Sequence, residues 1–141
     1  MAREAPTLYP TLRYRDAPAA IEFLKRAFGF TEVAVIANED GTIAHAELSL
    51  GPSVLMLGSD RDDELLGRRA GTGWLYAAVD DADAVCERAR AVGAEIVAAP
   101  YDTDYGSRDF TARDLEGNVW HLGTYRVSAE VLAGAPGTAA D

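Results

Sequence analysis

The 141-residue chain is 48% hydrophobic, carries 23 acidic against 13 basic residues for a formal net charge of −10, and holds one cysteine. That content supports a sizeable core in one domain, and the negative balance sets the chain against phosphate backbones, which excludes nucleic acid and suits a cationic ligand. Cys86 alone allows no internal disulfide and no multi-cysteine metal cluster; with no apolar run of membrane-span length and no apolar signal core in MAREAPTLYP, the expectation is a cytoplasmic protein without membrane contact.

Residues 1–7 read as an arm, and Leu8 to Arg15 alternates as a first strand. Asp16 stands where a helix N-cap belongs, and Pro18 follows in the first turn, where a missing N–H does no harm. Ile21, Leu24, Ala27 and Phe28 form an apolar stripe at helical spacing, and Gly29 closes the helix. Phe30 to Ile36 reads as a strand and Asn38 to Gly41 as a turn. Thr42 to Leu50 alternates cleanly: Ala44, Ala46, Leu48 and Leu50 on one face, Ile43, His45, Glu47 and Ser49 on the other. After the Gly51-Pro52-Ser53 turn, Val54 to Leu57 is a short strand.

Ser59 to Gly73 reads as a polar linker with one helical turn around Asp63 to Leu66. The order then repeats. Trp74 to Val79 is a strand, Asp81 caps a helix with Ala82, Val85, Ala89 and Val92 on its apolar face, and Gly93 ends it. Glu95 to Ala98 is a short strand, Pro100 to Gly106 an irregular loop carrying Tyr101 and Tyr105. The stretch YGSRDFTARDLEGNVWHLGTY closes as a hairpin, strand Phe110 to Arg113, turn Asp114 to Asn118, strand Val119 to Leu122. Ser128 to Leu132 is a candidate short helix before a tail, Gly134 to Asp141, of Ala, Gly, Pro and Thr with a terminal Asp that is expected to be mobile. The caps Asp16 and Asp81 lie 65 residues apart, Gly29 and Gly93 lie 64 apart, and the turn residues Pro52 and Gly117 lie 65 apart, which marks a duplicated β-α-β-β-β unit.

The segments RDAPAAIEFLKRAFGF, GTIAHAELSLGPSVLML, VDDADAVCERARAVGAEI and the closing hairpin resemble the vicinal oxygen chelate superfamily. That group includes glyoxalase I, bleomycin-resistance proteins, fosfomycin-resistance enzymes and extradiol dioxygenases. The resemblance implies an α+β fold in one domain over 1–141: module 1 at about 8–58, a linker at about 59–73, module 2 at about 74–125 and a tail at about 126–141. It implies a U-shaped mixed sheet, helices on its outer face and a ligand hollow inside, with His45 and Glu47 facing the hollow. It also implies a homodimer, often with modules of two chains sharing a site.

Metal-dependent members place ligands on the first and last strand of each module, and the resemblance puts Tyr9, Met56, Trp74 and His121 at those positions. Indole does not ligate, thioether suits soft metals, and a divalent catalytic site needs about three protein ligands. The expectation is therefore no metal and no cofactor; the alternative is a divalent metal on His45, Glu47 and His121. Metal-free relatives bind planar or aromatic compounds, for which Trp74 and Tyr9 offer stacking faces, with Tyr76 one pleat beyond Trp74. The candidate ligand-binding set is Tyr9, Thr11, His45, Glu47, Met56, Trp74, Tyr76, Tyr105, Arg113 and His121. Arg113 is expected in an ion pair with Asp109 or Glu47 or on a ligand carboxylate. His121, His45 and Glu47 are also the candidates for acid–base catalysis, in a lyase or isomerase.

Overall fold

The computed structural model describes residues 5–128 together with Glu130 and Gly134. The Ser128–Leu132 helix expected from sequence falls largely outside these residues. Strand β1 (Thr11–Tyr14) leads into helix α1 (Ala17–Phe28), then β2 (Thr31–Ala37), β3 (Ile43–Leu50) and β4 (Ser53–Ser59). The second unit repeats it with β5 (Trp74–Ala78), α2 (Ala82–Ala91), β6 (Glu95–Asp102), β7 (Arg108–Arg113) and β8 (Val119–Gly123). The fold is α+β, two βαβββ modules with one four-stranded mixed sheet each, ordered β1-β4-β3-β2 and β5-β8-β7-β6.

The caps form as the sequence dictates. Asp16 Oδ1 accepts from Ala19 N at 3.1 Å, and Asp81 Oδ1 accepts from Ala84 N at 3.0 Å. Each bond satisfies one of the orphan amides of a first helical turn. Gly29, at φ 81°, takes the left-handed conformation that ends α1 without a Cβ clash. The stripe Ile21, Leu24, Ala27 and Phe28 is buried, and in α2 so are Ala82, Val85, Cys86 and Ala89.

Register fixes which side chains share a face. Thr11, Met56 and Glu47 are successive partners across β1, β4 and β3. In module 2 the corresponding row is Tyr76, His121 and Thr111 across β5, β8 and β7. Partnered residues point to the same side of a sheet. The opposite faces carry Leu12, Leu57, Leu48, Trp120, Leu122, Phe110 and Ala112, all in the core.

The structure departs from the expected elements in several places. The strict alternation of β3 breaks at its start, because Ile36 pairs with His45 and Ala37 with Ile43, leaving Ala44 as a bulge. Ile43 is thereby buried and Ala44 exposed, the reverse of the expected faces. The first strand begins at Thr11 rather than Leu8. The expected loop from Pro100 is strand as far as Asp102, with a register shift between Ala98 and Tyr101. Proline is tolerated there because β6 is an edge strand. Asp63 to Gly67 is a tight turn, closed by an isolated bridge and by Asp63 Oδ1 accepting from Leu65 N and Leu66 N.

No ladder joins the two sheets among the described residues. Their edge strands β1 and β5 approach at Gly73, where any side chain would strike Leu12 and Asn118. The modules are locked by a carboxylate. Asp114, in the β7–β8 turn, accepts from Tyr14 Oη of module 1 at 2.6 Å, Trp120 Nε1 at 3.1 Å and Asn118 Nδ2 at 3.0 Å. It also accepts from the backbone amides of Glu116 and Asn118. Phe28 and Phe30 of module 1 pack on Trp120 with centroids at 5.0 and 5.9 Å. Glu116 then takes both Arg15 N at 2.6 Å and Asp16 N at 2.7 Å, a carboxylate clamp on the entry to α1.

Candidate functional site

Of the candidate residues, Thr11, His45, Glu47 and Met56 lie on strands of the first sheet and Trp74, Tyr76, Arg113 and His121 on strands of the second, while Tyr9 and Tyr105 lie outside the strands. On sheet β5-β8-β7-β6, Trp74 stands 76% exposed at the start of β5. Its ring meets His121 edge-on, with centroids at 6.0 Å and planes at 70°. His121 Nδ1 lies 2.9 Å from Thr111 Oγ1, its partner across the β7–β8 ladder. That bond fixes the ring, and Nε2 has no partner among the described residues.

Tyr76 is the direct partner of His121, and its hydroxyl donates to Tyr125 O at 2.8 Å. Below it lies Asp109, a buried carboxylate that accepts from Ser107 Oγ at 2.5 Å and Tyr105 Oη at 3.3 Å. Gly123 makes room for this group: a side chain there would run into the Asp109 carboxylate and the Tyr76 hydroxyl. Burial, and then the Asp109 charge, raise the phenol of Tyr76 above its ordinary value, and the same two causes raise Tyr105. Tyr105 also meets Tyr125 edge-on at 6.1 Å. Sequence reasoning missed Asp109, Ser107 and Tyr125 as members of this cluster. The one signal in the sequence is spacing: Asp109 stands two residues before Thr111 and so on the same strand face.

On sheet β1-β4-β3-β2, His45 and Glu47 lie on one face two residues apart, with Nε2 and Oε2 at 2.9 Å. Glu47 shares its row with Met56 and Thr11. Tyr9 precedes β1 and joins none of the ring pairs among the described residues. Arg113 does not reach Asp109 or Glu47; it pairs with Glu95, its partner across β6–β7, at 3.0 Å. The expected alternatives fail because Asp109 is engaged by hydroxyls and Glu47 lies on the other sheet.

The donor set at the four positions does not suit a hard divalent cation: indole has no lone pair to give, and thioether is soft. His45 and Glu47 sit on one sheet and His121 on the other, and no group of three or more His, Cys, Asp or Glu placed to hold a metal occurs among the described residues. The arrangement offers instead an exposed indole face, a fixed imidazole, phenols and a buried carboxylate. That is the chemistry of stacking and cation attraction.

Comparison with known proteins agrees with this architecture. The family model described as Glyoxalase/Bleomycin resistance protein/Dioxygenase superfamily matches residues 8–122. An uncharacterized protein of Mycobacterium tuberculosis is 33% identical over 125 residues, covering 84% of this chain and 74% of that protein. Among solved structures, TioX from Micromonospora sp. ML1 superposes with a TM-score of 0.72 at 29% identity, covering 86% of this chain and all of that one. A glyoxalase/bleomycin resistance protein/dioxygenase family enzyme from Burkholderia phytofirmans gives 0.67 at 26% identity, covering 82% and 94%. The chain belongs to the glyoxalase/bleomycin resistance protein/dioxygenase superfamily.

Proposed function

We propose that the protein binds a small planar aromatic compound, cationic in its best ligands, on the module 2 sheet face around Trp74, and does so without metal. One observation carries this reading: a 76% exposed indole set edge-on to a fixed imidazole, on a face that also buries the Asp109 carboxylate among tyrosine hydroxyls. An exposed tryptophan offers a large apolar face at low entropic cost, and a nearby carboxylate favours a positive ligand. The formal charge of −10 supports the same preference. In this reading a homodimer brings the Glu47–Met56–Thr11 row and Tyr9 of one chain over Trp74 of its partner, and the pair sequesters the compound.

Titration with planar aromatic cations, followed by calorimetry, tests it. Micromolar binding is expected for the wild type, and Trp74→Ala is expected to weaken it by at least tenfold, the scale of about 1–2 kcal/mol for a desolvated cation–aromatic contact. The fold should be unaffected, because Trp74 is exposed. Equal affinity in the variant would count against the reading.

A second reading rests on the 2.9 Å His45–Glu47 pair. A histidine oriented by a carboxylate is a competent general base for proton abstraction beside a carbonyl, in a lyase or isomerase. Deuterium exchange into a carbonyl substrate, lost in Glu47→Gln, would favour it; exchange unchanged in that variant would remove it.

A further inference from the structure

Asp109 and Asp114 are both buried carboxylates of module 2, and they are not served alike. Asp114 has five donors around it: Tyr14 Oη, Trp120 Nε1, Asn118 Nδ2 and two backbone amides. Asp109, 9% exposed, has two, both hydroxyls: Ser107 Oγ at 2.5 Å and Tyr105 Oη at 3.3 Å. An ionised carboxylate offers about four acceptor sites, and burying one is costly unless a cation or enough donors meet it. Among the described residues no cation does. The neighbouring Arg108 is drawn to Asp83 and Asp102, at 3.1 and 3.3 Å, and Arg113 is drawn to Glu95.

The two hydroxyl bonds are unequal. Ser107 is buried, donates to Oδ1 and accepts from Tyr125 N at 3.0 Å, so that side of the carboxylate is fixed. Oδ2 is met only by Tyr105, which is 63% exposed and stands in the loop before β7. Its 3.3 Å bond is longer than an ordinary hydroxyl bond, so lifting it costs little.

Register places this carboxylate against the indole. Trp74, Val119 and Arg113 form one row across β5, β8 and β7; Tyr76, His121 and Thr111 form the next; Ala78, Gly123 and Asp109 form the third. Asp109 thus shares a face with Trp74, two rows away, or about 13 Å along the strands. Gly123 keeps the third row low, since a side chain there would strike the Asp109 carboxylate and the Tyr76 hydroxyl.

We propose that Asp109 reads the charge of the ligand: it takes a primary ammonium carried on a flexible arm, whose N–H groups replace the Tyr105 hydroxyl at Oδ2 while the ring lies on Trp74. This assignment rests on ligand binding around Trp74 and adds two requirements to it. The positive charge stands apart from the ring by an arm, and it carries N–H. A quaternary ammonium brings charge but no donor, and charge-assisted hydrogen bonds are the strong ones.

The test is calorimetric titration of the full chain with naphthylbutylammonium, its N,N,N-trimethyl derivative, naphthylbutanol, and the short-armed pair naphthylmethylammonium and naphthylmethanol. The long primary ammonium is expected to bind about tenfold or more tightly than either the alcohol or the trimethyl derivative, the scale of a hydrogen bond to a charged group. The short ammonium is expected to gain far less over its alcohol, because it does not reach Asp109 from Trp74. Asp109→Asn is expected to remove the long-arm advantage. Tyr105→Phe, which uncovers Oδ2 at an exposed position, is expected to tighten the long ammonium by about threefold and leave the alcohol unchanged. A merely structural Asp109 would give no such gain, and this variant carries the test should Asp109→Asn fail to fold. Alcohol binding that depends on Trp74 without any advantage for the long ammonium would overturn the Asp109 assignment alone. So would a trimethyl derivative that binds as tightly as the primary ammonium, or a Tyr105→Phe chain with unchanged affinity. Binding of every probe that Trp74→Ala leaves untouched would instead overturn the placement of the ring on Trp74, and the assignment with it.

Discussion

Asp114 looks in the sequence like one polar residue of a turn, yet it is a buried carboxylate with five donors around it. Each donor reaches a charged acceptor in a low-dielectric setting, where hydrogen bonds are strong and a missing partner is costly. Asp114→Asn would set an amide donor against donors. The expected loss is about 3 kcal/mol, read from the urea midpoint, with Tyr14→Phe losing roughly 1–2 kcal/mol. Burial, followed by the Asp114 charge, pushes the Tyr14 phenol far above the ordinary phenol range. A phenol with a raised folded pKa gives full stability below its unfolded value. It loses that stability as pH rises past about 10, because only the unfolded chain releases the proton there. Alkaline titration by phenolate absorbance should therefore show one tyrosine that ionises only together with unfolding. A tyrosine count completed before the circular dichroism changes would contradict this.

Helices and strands were legible because their signals are local: Asp16 and Asp81 as caps, Gly29 as terminator, alternating faces in β7 and in β3 from His45 onward. The 65-residue offset was legible for the same reason, and the shared rows Thr11–Met56 and Tyr76–His121 preserve it. What was not legible lies in pairing. The Ala44 bulge depends on register with β2, and the continuation of β6 through Pro100 depends on its being an edge. The partner of Arg113 and the hydroxyls around Asp109 depend on which strands become neighbours. Glu116 is the sharpest case, because its role is to hold the first turn of a helix 100 residues away in sequence. Glu116→Gln should cost about 1 kcal/mol in denaturant unfolding, through two weakened charge-assisted bonds. An unchanged midpoint would mean that the clamp adds nothing beyond the Asp114 cluster.

Taken together, the modules present two open sheet faces, one with the His45–Glu47 pair and one with Trp74 and His121. No helix among the described residues is long and apolar enough to cross a membrane. Each face holds only part of the candidate set, which is why the proposed ligand is expected to be shared between copies. The two tryptophans give the means to see it, since Trp120 is 1% exposed and Trp74 is 76% exposed. The decisive measurement is fluorescence titration of Trp120→Phe, which leaves Trp74 as the single reporter, with a planar aromatic cation, alongside calorimetry of the wild type. The account predicts saturable quenching of Trp74 with the same dissociation constant as the calorimetric one. Calorimetric binding that leaves the Trp74 signal unmoved would contradict it.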